Sequence, residues 1–449
     1  MTSHATEFRD VACTVCGCVC DDLRLRVEGR RVVPLSGVCE LAAPWFERIG
    51  HTQPAAAAIA GGACSLDEAV TRAAAILAQS RAPLIWGLSR SSSDGQRAAV
   101  RLADRLGACI DTSASLCHAP SIMAIQQVGE STSSLGEIKN RADLVIFWGA
   151  DPAVSHPRHF ERYSLEPVGE FLPGGRSDRT VVVVDVEPTA TSAAADHFIH
   201  VAPDRDFEMI WALRQLLRED DPPAHEFADT NNTGATNLGA PLDVLRDLAR
   251  RMKRCHYGVV FFGLGLARRS LGHRNVEALL SLVADLNAHT RFTARRLRIP
   301  GDVTGADSVV CWQTGFPFAV NLARGYPRYG PGEYTANELL ERHEVDACVL
   351  VGSEAVANLS PAAADWLRQI PTIALDYPNV APAVEADVQF TTAIYGVHAP
   401  GTAYRMDEVP IPLRQVVDTE YPTDAEVLGA MQRAMPIDPC GPPNAIQQA

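Results

Sequence analysis

The sequence predicts an α/β protein: two weakly duplicated, doubly wound α/β domains behind a small cysteine-rich segment. Three observations carry this. From Ser65 onward, short apolar runs alternate with helical periodicity, the signature of parallel strands connected by helices. Three of those runs recur in the same order in the second half of the chain. Five of the twelve cysteines, Cys13, Cys16, Cys18, Cys20 and Cys39, fall in the first 40 residues, where apolar runs are short. The expected division is residues 1–50 for the cysteine-rich segment, 51–255 for the first α/β domain, and 256–449 for the second with a C-terminal extension.

In the first segment, Leu23–Val27 and Arg31–Val33 read as a hairpin turning at Glu28-Gly29. So short a stretch has little core of its own, and a metal cluster would supply what burial cannot. His51 to Ala63 reads as a linker. Helices are expected over Leu66–Gln79 and Gly95–Leu106, and strands over Pro83–Gly87, Cys109–Asp111, Asp143–Gly149, Thr180–Asp185 and His197–Val201. A helix follows over Phe207–Leu217. Glu219 to Leu238 is polar and rich in Asn and Thr, a surface connection. Then the scheme repeats: a strand at Gly258–Gly263, a helix at Asn275–Asn287, and strands at Asp346–Gly352, Pro371–Asp376 and Ala386–Phe390. The last three mirror those at Asp143, Thr180 and Ala195. Ligands of such sheets bind outside the carboxyl ends of the strands. Candidate binding loops are therefore Gly149-Ala150-Asp151-Pro152, Asp185, Gly263 and Gly352-Ser353-Glu354.

The composition excludes other classes. A 47% hydrophobic, 21% charged chain builds a core without difficulty, and a net charge of −14 argues against nucleic acid as partner. No apolar run reaches the ~18 residues that span a membrane. The N-terminus lacks an apolar signal region, so a cytoplasmic location is expected. Cysteines there are thiols or metal ligands rather than disulfides.

Cys13-x2-Cys16-x3-Cys20 with Cys39 as a fourth ligand suits a [4Fe–4S] cluster, with Cys18 surplus. Structural zinc and unligated thiols are the rival readings of the same spacing. Cys117-His118 beside Pro120 would ligate a metal or act as a nucleophile, or would be a buried loop cysteine. Gly263-Leu264-Gly265 opens like a dinucleotide fingerprint, but the third glycine, Gly272, stands too far on. Asp185, and Asp206 in Asp204-Arg205-Asp206, would bind a ribose or guanine, or would be turn caps. The run Arg291 to Arg298 holds four arginines, by default a solvated face and otherwise a pyrophosphate clamp.

Together these pieces resemble the molybdopterin or tungstopterin oxidoreductases, and more narrowly the B subunit of formylmethanofuran dehydrogenase. The segments carrying the resemblance are Cys13–Asp22, Cys117-His118-Ala119-Pro120-Ser121, His156-Pro157-Arg158-His159, Asp302–Gly305, Gln313–Phe318, Pro327–Glu333 and Gly401–Asp407, spread over almost the whole chain. The resemblance implies a [4Fe–4S] cluster near a molybdopterin guanine dinucleotide, with Cys117 as thiolate ligand of molybdenum or tungsten. It implies His118 and Arg298 as the groups handling the proton and the formate carboxylate, with Arg295 and Arg296 as rivals for the latter. One guanine dinucleotide arm would lie at Gly149, Asp151, Asp185 and Asp206, the other at Gly263, Gly352 and Glu354. The C-terminal pterin-binding barrel domain of such enzymes has no counterpart here. Other subunits of the complex would therefore cover the cofactor.

Three departures from the family pattern bear on function. Glu40 follows Cys39 where the family has the lysine that relays electrons, Asp151 stands for the Asn before Pro, and Asp204-Arg205-Asp206 replaces a glycine-containing turn. A related bacterial complex transfers a formyl group from tetrahydromethanopterin to methanofuran and hydrolyses it to formate, and the corresponding chain of that complex has no redox role. Two functions follow: a redox subunit interconverting CO2 and formate or formylmethanofuran, or a cofactor-poor structural subunit of the formyltransferase/hydrolase complex.

Overall fold

A computed structural model of the chain describes residues 5–218, 237–268 and 271–435. The polar connection expected from Glu219 lies almost wholly outside them. The chain folds as two compact units. Unit 2 is the continuous stretch Cys117–Arg298, and unit 1 is built from Met1–Leu116 and Ile299–Ala449. In chain order the strands are β1 (Thr6–Val11), β2 (Leu23–Glu28), β3 (Arg31–Ser36), β4 (Ala57–Ile59), β5 (Gly62–Ala63), β6 (Pro83–Gly87), β7 (Cys109–Thr112), β8 (Leu144–Trp148), β9 (Thr180–Asp185) and β10 (His197–His200). They continue as β11 (Tyr257–Phe262), β12 (Arg291–Arg296), β13 (Val320–Asn321), β14 (Arg328–Tyr329), β15 (Ala347–Val351), β16 (Thr372–Asp376), β17 (Val388–Thr391), β18 (Gly401–Tyr404) and β19 (Pro410–Leu413).

In unit 1, β1, β2 and β3 form an antiparallel sheet. Alternation along β2 turns Leu23, Leu25 and Val27 inward, and Trp45, Phe46 and Ile49 are buried as well. This segment therefore has more apolar burial of its own than its short apolar runs imply. The large sheet of unit 1 runs β14-β13-β7-β6-β15-β16-β17-β4-β5. Its five central strands, β7 to β17 in that order, are parallel, and its margins are antiparallel. The expected linker 51–63 contributes β4 and β5 to the margin. Their small residues, Ala and Gly, give no strand signal. The helix Leu66–Gln79 starts at a capping box, Ser65 with Glu68, as its sequence implies.

Unit 2 is built on one five-stranded parallel sheet, β10-β9-β8-β11-β12. Every residue of β8 and β11 is buried. Phe147 of β8 stacks on Phe261 of β11 with ring centroids 5.4 Å apart. The arginine run is not a solvated face: from Phe292 to Arg296 it is strand β12, all buried. The expected boundary at 255/256 does not coincide with the units. It falls inside unit 2, just before β11, which is hydrogen-bonded to both β8 and β12. Local periodicity cannot show that β6 and β7 pair with strands more than 200 residues later, leaving 117–298 as an insertion. Among the described residues no helix is long and apolar enough to cross a membrane.

Gly258 of β11 lies opposite Phe292 of β12, and a Cβ there would overlap the Phe292 ring. Gly258→Ala should therefore lower the denaturation midpoint, by about 1–3 kcal/mol of overpacking. Gly258→Ala with Phe292→Leu should recover part of that loss.

Candidate active site

The cysteine loop of unit 1 joins β1 to β2. It is closed by Cys13 N–H donating to Cys20 O at 2.7 Å and by Val19 N–H donating to Cys16 O at 3.1 Å. Cys13, Cys16, Cys18 and Cys20 are buried, and Cys39 is half-buried. Burial pushes the Cys13 thiol well up, and like-charge repulsion from Cys16 and Cys20, then Cys39, pushes it further. Cys16, Cys20 and Cys39 thus all lie near enough to Cys13 to act on its thiol. Cys18 stands apart in role: its hydrogen bond is the main influence lowering the Cys16 thiol, with Arg90 adding to it. Among the described residues, no three His, Cys, Asp or Glu side chains are gathered as ligands of a single metal ion. Two backbone approaches seat the loop. Met406 N–H donates to Gly17 O at 2.8 Å, and Gly301, at φ +35°, passes so close that a Cβ would lie 2.7 Å from Thr14 O.

The other candidate groups lie in unit 2, at its two ends in sequence. Cys117 is half-buried and stands just ahead of the helix Ala119–Val128. His118 is fully buried, with Nε2 3.0 Å from Leu297 O and Nδ1 3.2 Å from Ser121 Oγ. A carbonyl only accepts, so Nε2 carries the proton and Nδ1 accepts from the serine. Burial first, then Arg298 and Arg296, hold the His118 pKa well below the ordinary range. The ring is neutral, and both nitrogens are engaged. Arg298 is buried, and its carbonyl accepts from His156 Nε2 at 3.0 Å. Of its rivals, Arg295 donates to Thr132 Oγ1 at 2.7 Å, and Arg296 pairs with Glu130 at 3.8 Å. Within unit 2 the fold thus gathers His118 and Arg298, separated by 179 intervening residues in the chain.

The candidate dinucleotide loops stand at the carboxyl ends of β8, β9, β11 and β15. In unit 2, Gly149 (φ +54°) and Gly265 pack backbone to backbone, with Gly265 N–H donating to Gly149 O at 3.0 Å. Gly263 packs on the same loop, its N–H donating to Trp148 O at 3.2 Å. Asp151 Oδ1 accepts from Thr191 N–H at 2.9 Å and from the Thr191 hydroxyl. Asp206 accepts the Trp148 indole N–H at 2.8 Å. Asp185 ends β9 and accepts from Val186 N–H at 2.7 Å. In unit 1, Gly352 leaves β15 at φ +83°, and Glu354 pairs with Arg90 at 2.5 Å. Asp151, Asp206 and Glu354 are therefore bonded to protein groups and brace their loops. Arg90 in unit 1 and His156 in unit 2 have roles that the sequence did not mark: Arg90 is a lone basic residue in a serine-rich loop, and His156 appears only within a motif.

No family model matches the chain. It is 37% identical over 418 residues to the B subunit of tungsten-containing formylmethanofuran dehydrogenase 2 from Methanocaldococcus jannaschii, covering 91% of this chain and 94% of that protein. It is 34% identical over 430 residues to the protein of the same description from Methanococcus maripaludis, covering 94% and 97%. Among solved structures, it resembles a chain of the formyltransferase/hydrolase complex of Methylorubrum extorquens, crystallised with methylofuran. That match has a TM-score of 0.66 and 25% identity, and covers 84% of this chain and 98% of the other.

Burial sets the His156 pKa at about 4 and the His159 pKa at about 3, below the ordinary value of ~6.5. The unfolded chain therefore takes up protons that the folded chain refuses. This stability is complete above ~6.5 and is lost as pH falls toward 4. Denaturation midpoints measured between pH 8 and 4.5 should decline on that side. His156→Gln, which keeps a donor to Arg298 O, should flatten the decline.

Proposed function

The chain belongs to the family of the formylmethanofuran dehydrogenase B subunit, and from that premise we propose that it fills this place in a multi-subunit complex of one-carbon metabolism. In this reading the complex interconverts CO2 and formate or formylmethanofuran. The observation that carries the redox form of it is the placement of Cys13, Cys16 and Cys20 in the buried loop closed by the Cys13–Cys20 backbone bond, with half-buried Cys39 acting on the Cys13 thiol from beyond β3. Four cysteines that are not gathered on one metal ion suit a [4Fe–4S] cluster better than a zinc ion, which needs its sulfurs about 2.3 Å from one point.

A molybdopterin guanine dinucleotide carrying tungsten or molybdenum, when bound, supplies the two-electron chemistry at carbon. Cys117 would hold its metal through a thiolate. In unit 2, Gly149, Asp185 and Gly263 would line a nucleotide arm with backbone, while Asp151 and Asp206 keep those loops in register. Arg298 would clamp the carboxylate of formate as a charge-assisted pair. Neutral His118 holds the Leu297 carbonyl and so fixes the backbone from which Arg298 projects. The parallel strand orders β10-β9-β8-β11-β12 and β17-β16-β15-β6-β7 support descent of the two sheets from one duplicated unit, with one copy split by the other.

The likeness to the Methylorubrum extorquens complex supports a second reading, a structural subunit of a formyltransferase/hydrolase complex. Cys117→Ala separates the two. In the complex purified anaerobically, the redox reading expects viologen-coupled formate oxidation in the wild type and at least a hundredfold loss in the variant, with assembly intact. The structural reading expects no viologen activity, no tungsten or molybdenum, and unchanged formyl hydrolysis in both proteins.

A further inference from the structure

Within unit 1, Arg90 reaches the cysteine loop from the turn that follows β6. Its Nη1 donates to Thr14 O at 2.8 Å and to Val15 O at 3.4 Å, the two carbonyls of the segment joining Cys13 to Cys16. Gly301 N–H donates to the same Val15 O at 3.4 Å. Nε of Arg90 is held by Glu354 Oε1 at 2.5 Å, and the side chain is only 14% exposed. Its stem runs over Gly352, where a Cβ would come within 3.2 Å of the Arg90 Cβ. A guanidinium fixed on one side by a carboxylate and on the other by two carbonyls has little freedom left. The residue after Cys39, Glu40, is an exposed carboxylate, so that position brings no positive charge to the loop.

We infer that Arg90 is a positioning residue for the cysteine loop: it clamps the Cys13–Cys16 segment through its carbonyls and, paired with Glu354, sets the charge beside whatever metal group the loop carries. The clamp stands on the geometry alone, and the electrostatic half rests on the [4Fe–4S] reading. A fixed cation favours the reduced, more negative form of a cluster, and a fixed anion disfavours it.

The test uses the full chain, reconstituted anaerobically with iron and sulfide. Its readouts are iron content and the cluster midpoint potential from an EPR-monitored titration. Amide exchange of peptides covering residues 13–20 is measured on the metal-free chain. Arg90→Gln should shift the potential to more negative values and speed exchange in those peptides. Arg90→Lys, which keeps the charge but not the planar fork, should restore most of the potential and little of the protection. Glu354→Gln should shift the potential the opposite way, to more positive values. A residue that merely supports the fold would lower iron content in both variants without opposed shifts. Unchanged exchange in Arg90→Gln overturns the clamp. Potentials that move together, or do not move, overturn the electrostatic role. Wild-type chain that takes up no iron refutes the cluster reading and the electrostatic role with it, and the exchange measurement then decides the clamp by itself.

Discussion

Strands β8 and β11 are buried along their whole length and hydrogen-bonded on both sides, and that constraint arranges everything else in unit 2. A parallel strand must be followed by a crossover, so its carboxyl end meets a loop at the same edge as its neighbours'. No residue of these two strands faces water, which leaves polar chemistry only the loops. Gly149, Asp185 and Gly263 stand at that edge for this reason. The loops must also be held. Trp148, the last residue of β8, is bonded to Asp206 at the start of the helix that follows β10, and Asp151 is bonded to Thr191. Leaving such a buried donor without its acceptor costs on the order of 1–3 kcal/mol. The carboxylates therefore serve the scaffold before any ligand.

Charge works the same way at the end of β12. Three arginines, Arg295, Arg296 and Arg298, are buried there, and the last two act on His118. Burial alone disfavours a protonated imidazole, and the arginines add to it. The bond to Leu297 O opposes them without reversing the direction. A neutral His118 is then a one-proton donor aimed at a backbone carbonyl. It ties the start of unit 2 to its end, as His156 does one residue further on through Arg298 O. Two histidines thus fix two consecutive carbonyls, and the Arg298 side chain leaves from a backbone with little play.

What could be read from the sequence depended on how local the signal was. Strands β6 and β9 and the helix Leu66–Gln79 match their expected bounds, because an apolar run or a capping box is complete within a few residues. Strand β12 was hidden by its arginines, whose buried position follows from pairing with β11 and not from their own polarity. The insertion of unit 2 was invisible, because periodicity says nothing about which distant strand becomes a neighbour. Among the N-terminal cysteines, spacing picked out four thiols but could not show what Cys18 does. The fold shows it, by turning Cys18 to Cys16. Arg90 had no legible signal, since its meaning lies in two carbonyls 75 and 76 residues earlier and a carboxylate 264 residues later.

The cysteine loop also explains how one scaffold serves both functions found among its relatives. Protonated thiols behave as small apolar side chains. The Cys13 thiol, pushed up by burial and by its neighbours, packs as such a side chain beside buried Val11, Ala12 and Val19. The buried Leu23, Leu25, Trp45 and Phe46 around β2 do not require a metal either. Binding a cluster then exchanges protons for iron, at a cost that rises as pH falls. The apolar burial of this segment is therefore built from the chain's own side chains, whatever the cysteines bind. On the reading proposed above, such a segment can keep its burial whether or not the chain carries electrons, and the distinction would lie in what the thiols of Cys13, Cys16, Cys20, Cys39 and Cys117 bind.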